Sequence, residues 1–215
     1  MKIVDPPNTA TGGCFLTRRN ILRALVTAGV LTPMASVQSN SAVAPGTLLI
    51  DDFSEANLVS RLGTRWRAVT DQVMGGASTA VAVRTVIDSR RCLRLTGDVR
   101  LDNNGGFAQA TLDLSAKMGV LDATPYRSLR LAVRGNDERY SVHLRTSDMS
   151  RPWQSFRAHF VATPRWREIE LRFDAFVPYR VAALLDLSRL SRLGLVAIGR
   201  EFQADLAISK IELIA

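Results

Sequence analysis

The sequence predicts an all-β fold of antiparallel strands, a two-sheet sandwich or a barrel. Three observations carry this. From residue 48 onward apolar residues recur with period two, again and again. Turn-forming residues separate these segments at short intervals. A single short stretch, residues 181–193 (VAALLDLSRLSRL), reads as helical.

The chain holds 215 residues, 47% of them hydrophobic and 22% charged, which suffices for one domain with a sizeable core and argues against two. Its net charge is +8. Residues 1–41 carry Lys2, Arg18, Arg19 and Arg23 against Asp5, which accounts for +3 and leaves +5 for the rest. The remaining arginines stand singly, mostly at alternating positions among acids. That pattern reads as solvated strand faces, not as a stripe following a phosphate backbone, so nucleic acid is not expected as a partner.

Residues 1–41 read as an export signal and 42–47 as a linker to the domain at 48–215. A basic start precedes an apolar run from Ile21 to Leu31, interrupted by Arg23 and Gly29 and ended by Pro33. The run falls short of the about twenty apolar residues of a membrane span. Thr17-Arg18-Arg19-Asn20-Ile21-Leu22-Arg23 resembles the twin-arginine motif, which places the mature protein in the bacterial periplasm. The alternative is a mitochondrial transit peptide, which the lack of an amphipathic pattern disfavours. Cleavage is expected after Ser39 or Ala42. Cys14 would leave with the signal, so Cys92 remains alone, without a disulfide or a cysteine-based metal site.

The strands follow in order: 48–53, 66–69, 79–87, 92–99 and 106–114, and then four with clear phase. Leu129, Leu131 and Val133 share one face of 128–135; Tyr140, Val142 and Leu144 do so in 139–146. Phe156, Ala158 and Phe160 form the inward set of 155–162, and Ile169, Leu171 and Phe173 that of 167–173. Segments 193–199 and 205–214 complete the series, the last slipping phase between Ile208 and Ile211 as a bulge would make it.

Two Gly-Gly pairs stand out, in DQVMGGAS (71–78) and LDNNGGFAQA (101–110). A phosphate-cradling glycine loop needs a helix directly after it. Strand-like, β-branched sequence follows both pairs instead, so no nucleotide cofactor is expected. Asn104-Gly105 reads as a hairpin signal, because both residues tolerate positive φ.

Taken together, Trp66, Asp71, Val73-Met74-Gly75-Gly76-Ala77-Ser78, Asn104-Gly105-Gly106-Phe107, Arg134-Gly135 and Tyr140 resemble the signature of the complex I intermediate-associated protein 30 family. The likeness continues through Trp166, Phe176-Val177-Pro178 and Gly194 and covers about residues 48–215. It implies a galactose-binding-like jelly roll whose signature residues are structural. It also implies a non-catalytic, chaperone-like role in assembling respiratory complex I, with a protein as partner.

Other chemistry fits less well. The only histidines, His143 and His159, fall on the outward phase of neighbouring strands; a hairpin centred near Arg151 sets them almost opposite each other. Two imidazoles lack a third ligand, and Arg145 and Arg157 beside them repel a cation. Asp51 and Asp52 point to opposite faces of a strand and so do not readily cooperate with Asp71 at a calcium site. They read as solvent contacts and a turn hydrogen bond. Trp66 and Trp166 read as core, whereas Tyr126 and Trp153, each beside a proline, read as exposed loop aromatics. The candidate binding face is therefore Tyr126, His143, Arg145, Trp153, Arg157 and His159. Its partner is a protein or, in the alternative reading, a carbohydrate held by a periplasmic binding module.

The export reading makes a direct prediction. Replacing Arg18 and Arg19 together by lysine is expected to leave precursor in the cytoplasm, as followed by cell fractionation. Normal export of that variant would contradict it.

Overall fold

Alternating apolar residues can bury one face of a strand only if a second sheet covers it, and the described residues form twelve strands in two such sheets. They are β1 (Thr47–Asp51), β2 (Arg67–Thr70), β3 (Val81–Ile87), β4 (Arg90–Val99), β5 (Phe107–Asp113) and β6 (Ser128–Arg134). The rest are β7 (Glu138–Thr146), β8 (Ser155–Ala162), β9 (Arg167–Arg172), β10 (Val177–Tyr179), β11 (Leu190–Ile198) and β12 (Phe202–Ile214). The computed structural model describes residues 46–116 and 119–215. The export segment and most of the linker lie outside the described residues.

Sheet I has the order β3-β4-β12-β6-β9, with β1 also paired to β12; sheet II has the order β10-β8-β7-β11-β5-β2. All pairings are antiparallel. The chain crosses repeatedly between sheets, so the fold is a jelly-roll sandwich. The thirteen-residue β12 is the spine of sheet I, and its register slips between Ile208 and Lys210 where the sequence pattern changes phase. Phe53, Trp66, Tyr140 and Phe156 are the largest of the fully or almost fully buried core side chains.

Four local expectations change. Residues 181–193 are not a helix: after a short 3-10 turn at Leu187–Arg189, capped by Asp186, the chain enters β11 at Leu190. Pairing on both sides, with β7 and β5, captures this segment, and Leu193 and Leu195 then alternate into the core. The short β10 was not visible as a strand in the sequence. Asn104-Gly105 does not close a hairpin, because β4 and β5 lie in different sheets; positive φ falls on Asn103 and Gly106 instead. The tight hairpin is Asp88-Ser89 between β3 and β4, where both residues have positive φ. Finally, β7 and β8 pair His143 with Arg157 and Ser141 with His159, so the histidines are not opposite. Arg145 fixes the intervening loop by donating to the carbonyls of Met149, Arg151, Pro152 and Gln154.

Tyr140 ties the sheets together. Its ring packs edge-on to Phe202 of β12 and stacks near Phe160 of β8. Its hydroxyl donates to Asn136 Oδ1 at 2.6 Å and accepts from the Asp205 backbone N–H at 2.9 Å. Burial pushes the phenol pKa up to about 12, so it stays protonated and able to donate. Tyr140→Phe is expected to cost about 1–3 kcal/mol, because a backbone N–H loses its acceptor in a dry setting. Equilibrium urea unfolding measures this; an unchanged midpoint would contradict the assignment.

Candidate functional site: a buried carboxylate clamp and a basic sheet face

The two Gly-Gly segments meet at one carboxylate. Asp71 opens a 3-10 turn directly after β2, and no part of it reaches solvent. Its Oδ1 accepts from the Ser78 N–H at 2.9 Å. Its Oδ2 accepts from Ser78 Oγ and the Gly106 N–H, both at 2.5 Å, and from the Phe107 N–H at 3.3 Å. Ser78 Oγ in turn accepts from the Arg100 N–H at the end of β4. The carboxylate therefore joins the end of β2, the loop into β3, the exit of β4 and the start of β5. Burial raises the Asp71 pKa, but the hydrogen bonds from Ser78, Gly106 and Phe107 outweigh it, and the net shift is downward.

The glycines follow from this contact. A Cβ on Gly76 or on Gly105 would overlap the Asp71 carboxylate, so neither position admits a side chain. Gly75 differs: it has φ 88° and faces open space. Asn103 Nδ2 donates to the Gly75 carbonyl and holds the two loops side by side. Above the clamp, Val73 and Met74 project into solvent, at 75% and 58% exposure.

Of the remaining signature residues, Trp66 and Tyr140 are internal and Gly135 is half-buried. Trp66 is buried, its indole N–H donating to Asp51 Oδ2 at 2.9 Å. Asp51 is not the solvent contact read from the sequence: it is buried, and it also receives Arg84 Nη2 at 3.2 Å. Desolvation dominates there, and the Asp51 pKa is raised. Asp52 faces the other way and pairs with Arg61, which with Ser54 brings its pKa to about 2 against the opposing effect of burial. Gly135 lies against Ala162, where a Cβ would collide.

The candidate face divides. Tyr126 is half-buried against the core and is not the exposed loop aromatic expected. His143 faces the outer side of sheet II yet is buried, its Nε2 2.9 Å from Ser141 Oγ. Burial, with help from Arg157 and His159, lowers the His143 pKa to about 3, so the imidazole is neutral at physiological pH. Ser141 is wholly buried as well, so this pair is not open to a substrate. Arg145 serves the loop described above. Trp153, Arg157 and His159 keep solvent contact, with Trp153 at 45% exposure. Trp166 is half-buried beneath the Arg90 guanidinium and is not fully in the core. Among the described residues, no group of three or more His, Cys, Asp or Glu side chains is placed to hold a metal.

Sequence reasoning missed two features here. Arg84 points inward from β3 while Val81 and Val83 point out, the reverse of what their polarity suggests. Tyr179 on β10 receives the Arg157 guanidinium flat on its ring, 3.5 Å from the centroid. Only the strand pairing reveals that contact, since the two residues are far apart in sequence.

Fold and site together define a two-sheet jelly-roll sandwich with its signature loops closed around an internal carboxylate. The sequence profile of the complex I intermediate-associated protein 30 family matches residues 52–208, and the chain belongs to that family. No curated protein matches it in sequence. Among solved structures it is similar to the family 11 carbohydrate-binding module from Clostridium thermocellum bound to a β-1,3-1,4-mixed-linked tetrasaccharide. That match has a TM-score of 0.61 at 12% identity and covers 79% of this chain and 96% of the other. It is also similar to the family 30 carbohydrate-binding module of a cellulosomal cellulase from the same organism, with a TM-score of 0.57 at 13% identity, covering 78% and 98%. An agarase matches with a TM-score of 0.51 at 11% identity, over 79% of this chain and 24% of its own. At these identities the likeness is one of fold.

Two predictions follow from the clamp. Gly76→Ala and Gly105→Ala are each expected to cost about 1–3 kcal/mol through overlap with Asp71, and Gly75→Ala about 1 kcal/mol through its backbone conformation alone. Thermal melting orders the three; equal losses would contradict the overlap. Asp71→Asn replaces an acceptor by an amide donor facing N–H groups and is expected to cost on the order of 3 kcal/mol. Because the folded pKa lies below the ordinary 3.8, the ionised carboxylate stabilises the fold fully above that pH. That contribution is lost as pH falls from there through the folded value. Wild type should therefore lose more stability than Asp71→Asn between pH 5 and pH 2 on acid titration. Parallel curves would contradict it.

Proposed function

We propose that this chain is a non-catalytic binding module acting as a chaperone-like assembly factor for a respiratory or membrane protein complex. The observation that carries the reading is the division of labour in the structure. Trp66, Asp71, Ser78 and Tyr140 of the family signature lie inside the molecule, while Val73, Met74 and Trp153 are exposed. Ser141 and His143 are buried, which supports a role without nucleophilic chemistry at that pair. Family membership supports a protein partner, with complex I as the family's own client. The twin-arginine reading of Arg18 and Arg19 adds a periplasmic location, from which the module would reach the outer side of a membrane complex.

A second reading, a periplasmic carbohydrate-binding module, rests on the fold of the neighbours and on exposed Trp153. Stacking a pyranose requires an open aromatic face. Tyr179, the other exposed aromatic on this edge, has one face occupied by Arg157. That favours the protein partner.

The two readings separate by experiment. Cross-linking in intact cells is expected to recover an identified membrane or respiratory-chain protein, while glycan arrays stay silent. A reproducible glycan signal that Trp153→Ala abolishes would transfer the assignment to carbohydrate. Removing one stacking aromatic is worth on the order of 2 kcal/mol, enough to be visible in a weak complex.

A further inference from the structure

Arginines on both outer faces pair with carboxylates. On sheet I, Arg94 pairs with Asp205, Arg130 with Glu170, and Lys210 with Glu212. On sheet II, Arg67 and Arg192 share Asp113 at the β2–β5–β11 side. On β7, Glu138 pairs with Arg200, but the β8–β10 edge differs. Among the described residues, Arg157 and Arg180 have no carboxylate in ion-pair range.

Arg157 is also held in place. Its guanidinium lies 3.5 Å from the centre of the Tyr179 ring, and its Nε donates to Ser155 Oγ at 3.0 Å. Ser155 and Val177 flank this arrangement through the β8–β10 pairing. One face and one edge of the guanidinium are thus engaged, while its two terminal nitrogens have no hydrogen-bond partner among the described residues. Beside it, His143 is neutral and Arg180 adds a like charge. An arginine fixed by stacking has already lost most of the side-chain freedom that binding would otherwise remove, and its free fork matches a carboxylate.

We propose that Arg157, stacked on Tyr179 at the β8–β10 edge, is the receptor for an Asp or Glu carboxylate in an extended acidic segment of the protein partner. The inference rests on the protein-partner reading above and gives it a site. An acidic polysaccharide carries the same group, but at the receptor itself the Tyr179 face is covered by Arg157 and is not open to a sugar ring. Two clefts among the described residues also lie elsewhere, one beside Arg65, Asp113 and Arg192 and one on sheet I beside Arg90 and Lys210. An extended peptide needs neither.

The test measures binding of a labelled oligoglutamate peptide to the full chain by fluorescence anisotropy, with oligoglutamine and polygalacturonate as comparisons. Oligoglutamate is expected to bind, more weakly as salt rises. Arg157→Gln should weaken it about tenfold, and Arg157→Lys should restore little, because lysine lacks the fork. Tyr179→Leu should weaken it with Arg157 still present. Arg61→Gln, whose guanidinium is already used on Asp52, should leave it unchanged. The proposal is overturned if oligoglutamate does not bind, if Arg61→Gln weakens it as much as Arg157→Gln, or if polygalacturonate binds in preference. The broader reading fails separately, when no protein is cross-linked in cells. The site alone fails when the wild-type cross-link persists in Arg157→Gln.

Discussion

A single buried carboxylate sets the geometry of one end of this sandwich. Asp71 has no contact with solvent, and four donors from two loops satisfy its oxygens. A buried carboxylate is tolerated only when donors replace the water it loses. Those donors come from Ser78, Gly106 and Phe107, so the loops are brought together by the need to satisfy the charge. The glycines at 76 and 105 are consequences of that approach, since any side chain there would occupy the carboxylate's space.

Two further buried polar contacts extend the same logic along the interior. Asp51 accepts from the Trp66 indole and from Arg84, linking β1 and β3 of sheet I to the segment leading into β2 of sheet II. Tyr140 reaches from β7 to the backbone of β12. Apolar burial supplies the bulk of the stability in such a core, but it is non-directional. These directed hydrogen bonds specify how one sheet sits on the other. With the interior so committed, recognition is left to the surface, where the Arg157–Tyr179 pair and the Val73–Met74 tip stand.

The strands were legible because period-two burial is a local property, and the boundaries of β8 coincide with the sequence pattern. The β12 bulge was legible for the same reason. What escaped depended on partners distant in the chain. Residues 181–193 carry helical spacing, yet two neighbouring strands take the second half of that segment. Arg84 points inward because Asp51 and the Val59 carbonyl await it, which no window around β3 reveals. At the glycine pairs, positive φ was rightly expected but falls on Gly75 and Gly106, the hairpin read at Asn104-Gly105 does not form, and the reason for Gly76 and Gly105 was not readable. Gly76 and Gly105 lack positive φ, and only the folded position of Asp71 explains them. On the candidate face, Trp153 was found from its loop setting, whereas the burial of His143 and the stacking of Arg157 required the register of β7, β8 and β10.

The central claim is that the signature loops form a permanently closed structural clamp and not a site that opens to a ligand. Native-state amide hydrogen exchange at Ser78, Gly106 and Phe107 tests it most directly. Loop amides held by a buried carboxylate should exchange as slowly as those in the middle of β5 and β11. Exchange at the rate of an open surface loop would contradict the account and return these glycines to the list of candidate binding elements.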